Sequence, residues 1–269
     1  MSQQSEFNAA GQAYYLAQVD ISESLLERVA SWWRGLSPQR AAEGSSAVMR
    51  EYQALVSQSR SRSYAEGVKY HNAAREAATS KPAPESVWDG RDLAAESGKA
   101  KASYYVHTAP LRKEIQRGRL DDPEFIKALD EAMQSAGRNL ALDAGRLAES
   151  GGRDALAEAR ENDAEVIGWY RKTDADPCGF CAMIASRGAA YSDYMEPDQF
   201  HAGCHCQTLP LFRGVEMPAE DARKRDEYLV RWNATEGSGA DQLRNFQREF
   251  NEERKQRREA AEQSVMADQ

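Results

Sequence analysis

Apolar side chains recur at helical spacing through the first part of the chain. Leu16 and Val19 lead into Leu25, Leu26, Val29, Trp32, Trp33 and Leu36, a repeat of three and four that predicts helix rather than strand. Asp20 or Ser22 is placed to cap the second of these helices, and Gly35 with Pro38 marks its end. Residues 41–79 continue in the same period through Val48, Tyr52, Leu55, Val56, Tyr64, Val68 and His71. The run Ser80-Lys81-Pro82-Ala83-Pro84-Glu85-Ser86 breaks the pattern with two prolines. Residues 87–110 are too weakly patterned to assign.

A second helical stretch opens at Asp121-Asp122-Pro123, where carboxylates and a proline suit a helix N-terminus. Ile126, Leu129, Met133, Ala136, Leu140 and Leu147 form a narrow apolar seam. Gly151-Gly152 is expected to end that helix, with a shorter one over 153–162. Residues 165–170 are the first plausible strand, and Gln207-Thr208-Leu209-Pro210-Leu211-Phe212 also reads as extended. Between them, Ala182 to Arg187 predicts a short helix stopped by Gly188, with Arg187 as a helix-end cation. After about Pro218 mixed charge takes over. Leu243, Phe246 and Phe250 give it a small apolar stripe, and the expectation is a solvated, partly frayed helix rather than one that docks on another protein.

Composition sharpens the fold class. There are 43 Ala against 40 Leu, Ile, Val and Phe combined, so bulky core material is scarce. Disorder would bring few aromatics, yet 5 Trp and 11 Tyr are present. The expected fold is mainly α: an elongated Ala-rich helical region over 1–120, a long helix plus a small α+β module that carries all four cysteines over 121–215, and a charged helical tail over 216–269. A parallel-sheet enzyme would need Val/Ile/Leu runs that are missing.

No stretch approaches the ~20 apolar residues of a membrane span. The opening Met1-Ser2-Gln3-Gln4-Ser5-Glu6 has neither a basic nor an apolar signal region, so a cytosolic start is expected. A formal net charge of -8 argues against nucleic acid as the main partner.

The chemistry is concentrated. All four cysteines fall in Cys178-Gly179-Phe180-Cys181 and Cys204-His205-Cys206, and His201 stands three residues before Cys204. Two sulfurs of a C-x-x-C converge across a turn. In extended chain Cys204 and Cys206 share a face while His205 points away. Cys178, Cys181, His201, Cys204 and Cys206 are therefore five candidates for the four places of one tetrahedral zinc. An all-thiolate shell and three thiolates plus an imidazole both fit. Cytosolic disulfides are uncommon, and a thioredoxin-type site would need a βαβ setting. With enough ligands to close the shell, the zinc reads as a structural staple that supplies folding energy to a segment with little core. Met183, Ile184, Tyr191, Tyr194 and Phe200 would pack around it. Asp193, Glu196 and Asp198 are close enough in sequence to act as a base in a zinc hydrolase or nuclease, but solvent exposure explains them more simply. His71 and His107 have no partner cluster and receive no role.

Trp169, the run Asp176-Pro177-Cys178-Gly179-Phe180-Cys181-Ala182-Met183, then Ser186-Arg187-Gly188-Ala189-Ala190-Tyr191, His201-Ala202-Gly203-Cys204-His205-Cys206 and Pro210-Leu211-Phe212 form a recognisable series. It resembles the C-terminal part of the Mu F-like minor head (minor capsid, head morphogenesis) proteins of tailed bacteriophages, especially those of phages of actinobacteria. The likeness covers about residues 165–213. The family often has arginine between the last two cysteines, where this chain has His205. The resemblance implies a non-enzymatic virion component, assembled in the host cytoplasm in few copies near the portal, that serves head assembly or DNA packaging and ejection. It implies portal or major capsid protein as partner, and no membrane. Packaged DNA is a partner that the net charge does not indicate. Some relatives carry a protease or toxin domain; no Ser/His/Asp set is seen here, and the tail after 215 is short and charged. The alternatives are the zinc hydrolase or nuclease, and a zinc-ribbon nucleic-acid module whose basic face would use Arg171, Lys172, Arg187 and Arg213.

Overall fold

The computed structural model describes residues 2–84, 97–118, 122–190 and 200–267. The chain runs α1 (Gln3–Arg34), α2 (Pro38–Glu43), α3 (Ser46–Thr79), α4 (Ser97–Arg117), α5 (Pro123–Asn162), β1 (Val166–Lys172), α6 (Gly179–Ser186), β2 (Gln207–Phe212), α7 (Ala219–Ala234) and α8 (Gly239–Ala267). The fold class is as the pattern predicts: mainly α, with a small two-stranded sheet in an α+β module.

α1 is one helix, not two. Its N-cap is Ser2, whose hydroxyl accepts the Ser5 N–H at 3.2 Å. Asp20 and Ser22 lie within it, because no proline or glycine interrupts the chain there and Ser22 is buried against Gly145 of α5. Leu16 remains exposed. At the far end Gly35 caps α1, and Pro38 opens α2 at a position where its missing N–H costs nothing.

α5 is likewise continuous over 40 residues, about 60 Å at 1.5 Å per residue. The expected break at Gly151-Gly152 does not occur. A Cβ on Gly151 would lie 2.2 Å from the Arg60 carbonyl oxygen of α3, and one on Gly152 would lie 3.0 Å from that of Ser63. These glycines let two helix backbones touch rather than ending one of them. Asp122 caps the start, accepting the Glu124 N–H at 3.0 Å.

α1, α3 and α5 pack along one another, and α4 leans on α5. One core lies at the α2/α4 end, where Trp33, Tyr52 and Tyr104 meet and the Tyr104 hydroxyl donates to Ala41 O at 2.6 Å. The weakly patterned segment after 86 thus contains α4, anchored by aromatic rings. The other core joins Phe7, Tyr14, Tyr70 and Leu156 to Trp169, Tyr170, Leu209 and Phe212 of the sheet. At the junction of α5 and β1, Asp163 receives His71 at 2.9 Å and Arg75 at 2.8 Å. His71 is therefore a buried tie, and His107 faces Asp143 at 3.6 Å.

β1 and β2 pair antiparallel, with Arg171 opposite Thr208 and Lys172 opposite Gln207. That register sets β1 beside the residues that follow Cys206. The tail is not a free helix. Phe246 and Phe250 of α8 are buried with Tyr228 of α7 and with Ala182 and Ala185 of α6. The apolar stripe docks on its own chain.

Candidate metal centre

Cys178 occupies the N-cap of α6, and its sulfur accepts the Cys181 N–H at 3.4 Å. The helix start thus brings both thiols of the C-x-x-C to one side. On the other arm, Gly203 adopts φ +73°, which allows the Cys204 N–H to close on His201 O at 3.2 Å. Cys204 and Cys206 lead into β2, and both are buried. All four cysteines are buried in one cluster, flanked by Phe180 and Phe200.

The sulfurs of Cys181, Cys204 and Cys206 lie within 4.8 Å of one another, a group able to hold a metal ion. Cys181 Sγ and Cys204 Sγ are 3.5 Å apart. A disulfide would need ~2.05 Å. A tetrahedral ion with ~2.3 Å bonds to sulfur separates its ligands by roughly 3.8 Å. The arrangement has the second spacing, and the donor set is soft and nitrogen- or sulfur-based, as zinc prefers.

Electrostatics point the same way. Hydrogen bonding to Cys181 holds the Cys178 thiol down to about 4 against the pull of burial, and His201 adds to the effect. Cys204 is also held low, first by its hydrogen bonds with Cys181 and Cys206. Cys181 is pushed up by its bonds to the other three sulfurs. For Cys206 the bond to Cys181 favours ionisation, but Cys204 and burial outweigh it and its thiol rises. The directions are thus opposed within one cluster, with Cys178 and Cys204 held down and Cys181 and Cys206 pushed up. Bonding to Cys178 raises the His201 imidazole to about 9.

His205 turns to Glu149, with Nδ1 at 2.6 Å from Oε1. Glu149 and Arg153 of α5 are site residues that the sequence reading missed. Glu149 also accepts Arg153 Nη2 at 2.7 Å and Gln207 Nε2 at 2.8 Å. Arg153 Nη2 in turn reaches the carbonyls of Cys204 at 3.3 Å and Cys206 at 3.1 Å. The available signal was a Glu–Arg pair at i,i+4 around two glycines. Read locally, Gly151-Gly152 marks a helix end, which hides the pair. The Asp174 N–H donates to Cys206 Sγ at 3.4 Å. Asp176, two residues before Cys178, is clasped by Arg254, Arg257 and Arg258 of α8 at 2.9, 3.3 and 2.6 Å. Asn251 accepts the Gly179 N–H at 2.9 Å, so α8 closes over the C-x-x-C knuckle.

Other candidates fall elsewhere. Met183 and Ile184 pack against the sheet-side core, and Met183 also contacts the α8 cluster. Asp193, Glu196, Asp198, Tyr191 and Tyr194 lie outside the described residues. Arg171 is buried and Lys172 pairs with buried Asp221 at 3.4 Å, so neither belongs to an exposed basic face. Arg187 stacks on Trp232 at 4.5 Å, and Arg213 lies exposed near Glu165. Among the described residues no helix is long and apolar enough to cross a membrane.

The model of a family described as VG15 protein matches residues 5–235, a match that points to a phage protein. The matched range begins within α1, includes α2 to α7, all four cysteines and His201, and stops before α8. No curated protein and no solved structure matches the chain.

Proposed function

The chain belongs to the VG15 protein family, and from that premise we propose that it is a minor capsid protein of a tailed phage. Its role is structural, in head assembly or in DNA packaging and ejection near the portal, and its module is stapled by one zinc ion. The observation that carries this reading is the buried four-cysteine cluster inside a long helical chain of a phage family. A virion part must hold its shape without a large core, and a metal bound by folded-state ligands supplies that free energy.

Cys178, Cys181, Cys204 and Cys206 would hold the ion. His201, exposed and bonded to Cys178, would support the fourth thiolate from outside the shell. The ion would cross-link two chain segments and offer no open position for substrate, which supports a structural rather than a catalytic role for it. The helical region would contact portal or major capsid protein, and the place of action is the virion, at the capsid interior or the portal vertex.

Mass-spectrometric counting of purified heads tests the assignment, with a few copies per particle expected. Absence from heads that have assembled normally overturns it. Elemental analysis of the full chain tests the metal separately, with about one zinc per chain expected.

A further inference from the structure

A cleft of about 580 Å³ opens beside the C-x-x-C knuckle. One wall carries Cys178 and His201, the other Asn251, Arg254, Lys255 and Arg258 of α8. Cys178 is 6% exposed, whereas Cys181, Cys204 and Cys206 are 1%, 2% and 0%. Among the described residues, the cluster thus meets open space at Cys178. The α8 wall is firm. Phe246 and Phe250 bury it against α6, Asn251 accepts the Gly179 N–H at 2.9 Å, and a Cβ on Gly179 would lie 2.8 Å from Gln247 Cα. That wall lies beyond residues 5–235, outside the stretch matched to the family.

The mouth of the cleft is cationic in a chain of net charge -8. Arg254, Lys255, Arg257 and Arg258 face two carboxylates, Asp176 and Glu259, at 2.6 to 3.8 Å. Glu253 reaches Arg257 only at 4.0 Å and pairs with Arg231 at 2.8 Å. Positive charge is therefore in excess at the opening. Four thiolates on a divalent ion carry two net negative charges, which repel an anion. A cationic rim offsets that repulsion at the point of entry and raises the local concentration of anions, an effect worth about 10-fold or more in association rate. We propose that this cleft is the exchange port of the metal site, and that Arg254, Lys255 and Arg258 select small anionic metal chelates, over neutral ones, as the species that load and unload it. This rests on the reading of the cluster as a metal centre.

The test follows zinc loss from the full chain to EDTA, an anionic chelator, and to 1,10-phenanthroline, a neutral one. Elemental analysis of desalted samples gives the zinc left on the protein with time. Loss to EDTA should rise with its concentration and slow as salt is added. Lys255, Arg258 and Glu259 are exposed, so replacing them leaves the packing intact. Lys255→Gln combined with Arg258→Gln should slow loss to EDTA about 3- to 10-fold and leave loss to 1,10-phenanthroline unchanged. Glu259→Gln should speed loss to EDTA alone. If wild type takes up no zinc, the metal reading itself fails. If zinc binds but its loss to EDTA does not depend on EDTA concentration or on salt, the port is overturned. The same holds if either variant leaves the EDTA rate unchanged, or shifts both chelators alike, since the substitutions would then only have moved α8.

Discussion

Arg153 and Cys206 stand 53 residues apart in the chain, yet one guanidinium nitrogen of the first lies 3.1 Å from the carbonyl oxygen of the second. That contact ties the longest helix to the second thiol arm. The same nitrogen reaches Cys204 O and the Glu149 carboxylate, so the arm is held in place by the helix bundle as well as by its own sulfurs. Replacing Arg153 with methionine leaves Glu149 buried without that cation. The expected loss is about 3–5 kcal/mol in urea unfolding. Arg153→Met combined with Glu149→Gln should lose less than Arg153→Met alone.

Removing a sulfur should be worse than removing an imidazole. Cys181 Sγ lies 3.5 Å from Cys204 Sγ, and Cys181→Ser is expected to lose zinc together with the order of the module. His201→Gln should keep the ion, with weaker retention against chelators. Elemental analysis and hydrogen exchange over residues 166–212 measure both. Zinc retained in Cys181→Ser but lost in His201→Gln would reverse the ligand assignment.

The glycines of α5 give a packing test. Gly151→Ala drives a methyl into the Arg60 carbonyl and should destabilise the protein by about 1–3 kcal/mol. Gly98→Ala on α4 meets nothing within 4 Å and should be neutral or stabilise by up to roughly 1 kcal/mol. Thermal melts of the two variants should move in opposite directions, or the first alone should move.

His71 predicts an acid sensitivity. Burial disfavours its charged form and lowers its pKa, although bonding to Asp163 opposes this. Above the ordinary imidazole value of 6.5 the residue is neutral in both folded and unfolded chains. Below it the unfolded chain gains a proton that the folded one resists, so this contribution to stability is lost as pH falls through 6.5 towards the lower folded value. Between pH about 7.5 and about 5.5, wild type should lose more urea resistance than His71→Gln, which can still donate to Asp163. Equal losses in the two proteins would remove His71 as the cause.

The helical class, the strand after residue 165, the short helix between the thiol pairs and the grouping of Cys181, Cys204 and Cys206 were legible in the sequence, because periodicity and ligand spacing are local properties. What the tertiary structure decided was everything that depends on a neighbour distant in the chain. Gly151 and Gly152 signal a stop when read locally, but become a contact surface once α3 lies against them. Ser22 resembles a cap until α5 covers it. Phe246 and Phe250 form a stripe whose partner, α6, is named by no local rule. Glu149 and Arg153 look like ordinary charged residues, and only folding takes them out of water beside the second thiol arm, where each finds an opposite charge.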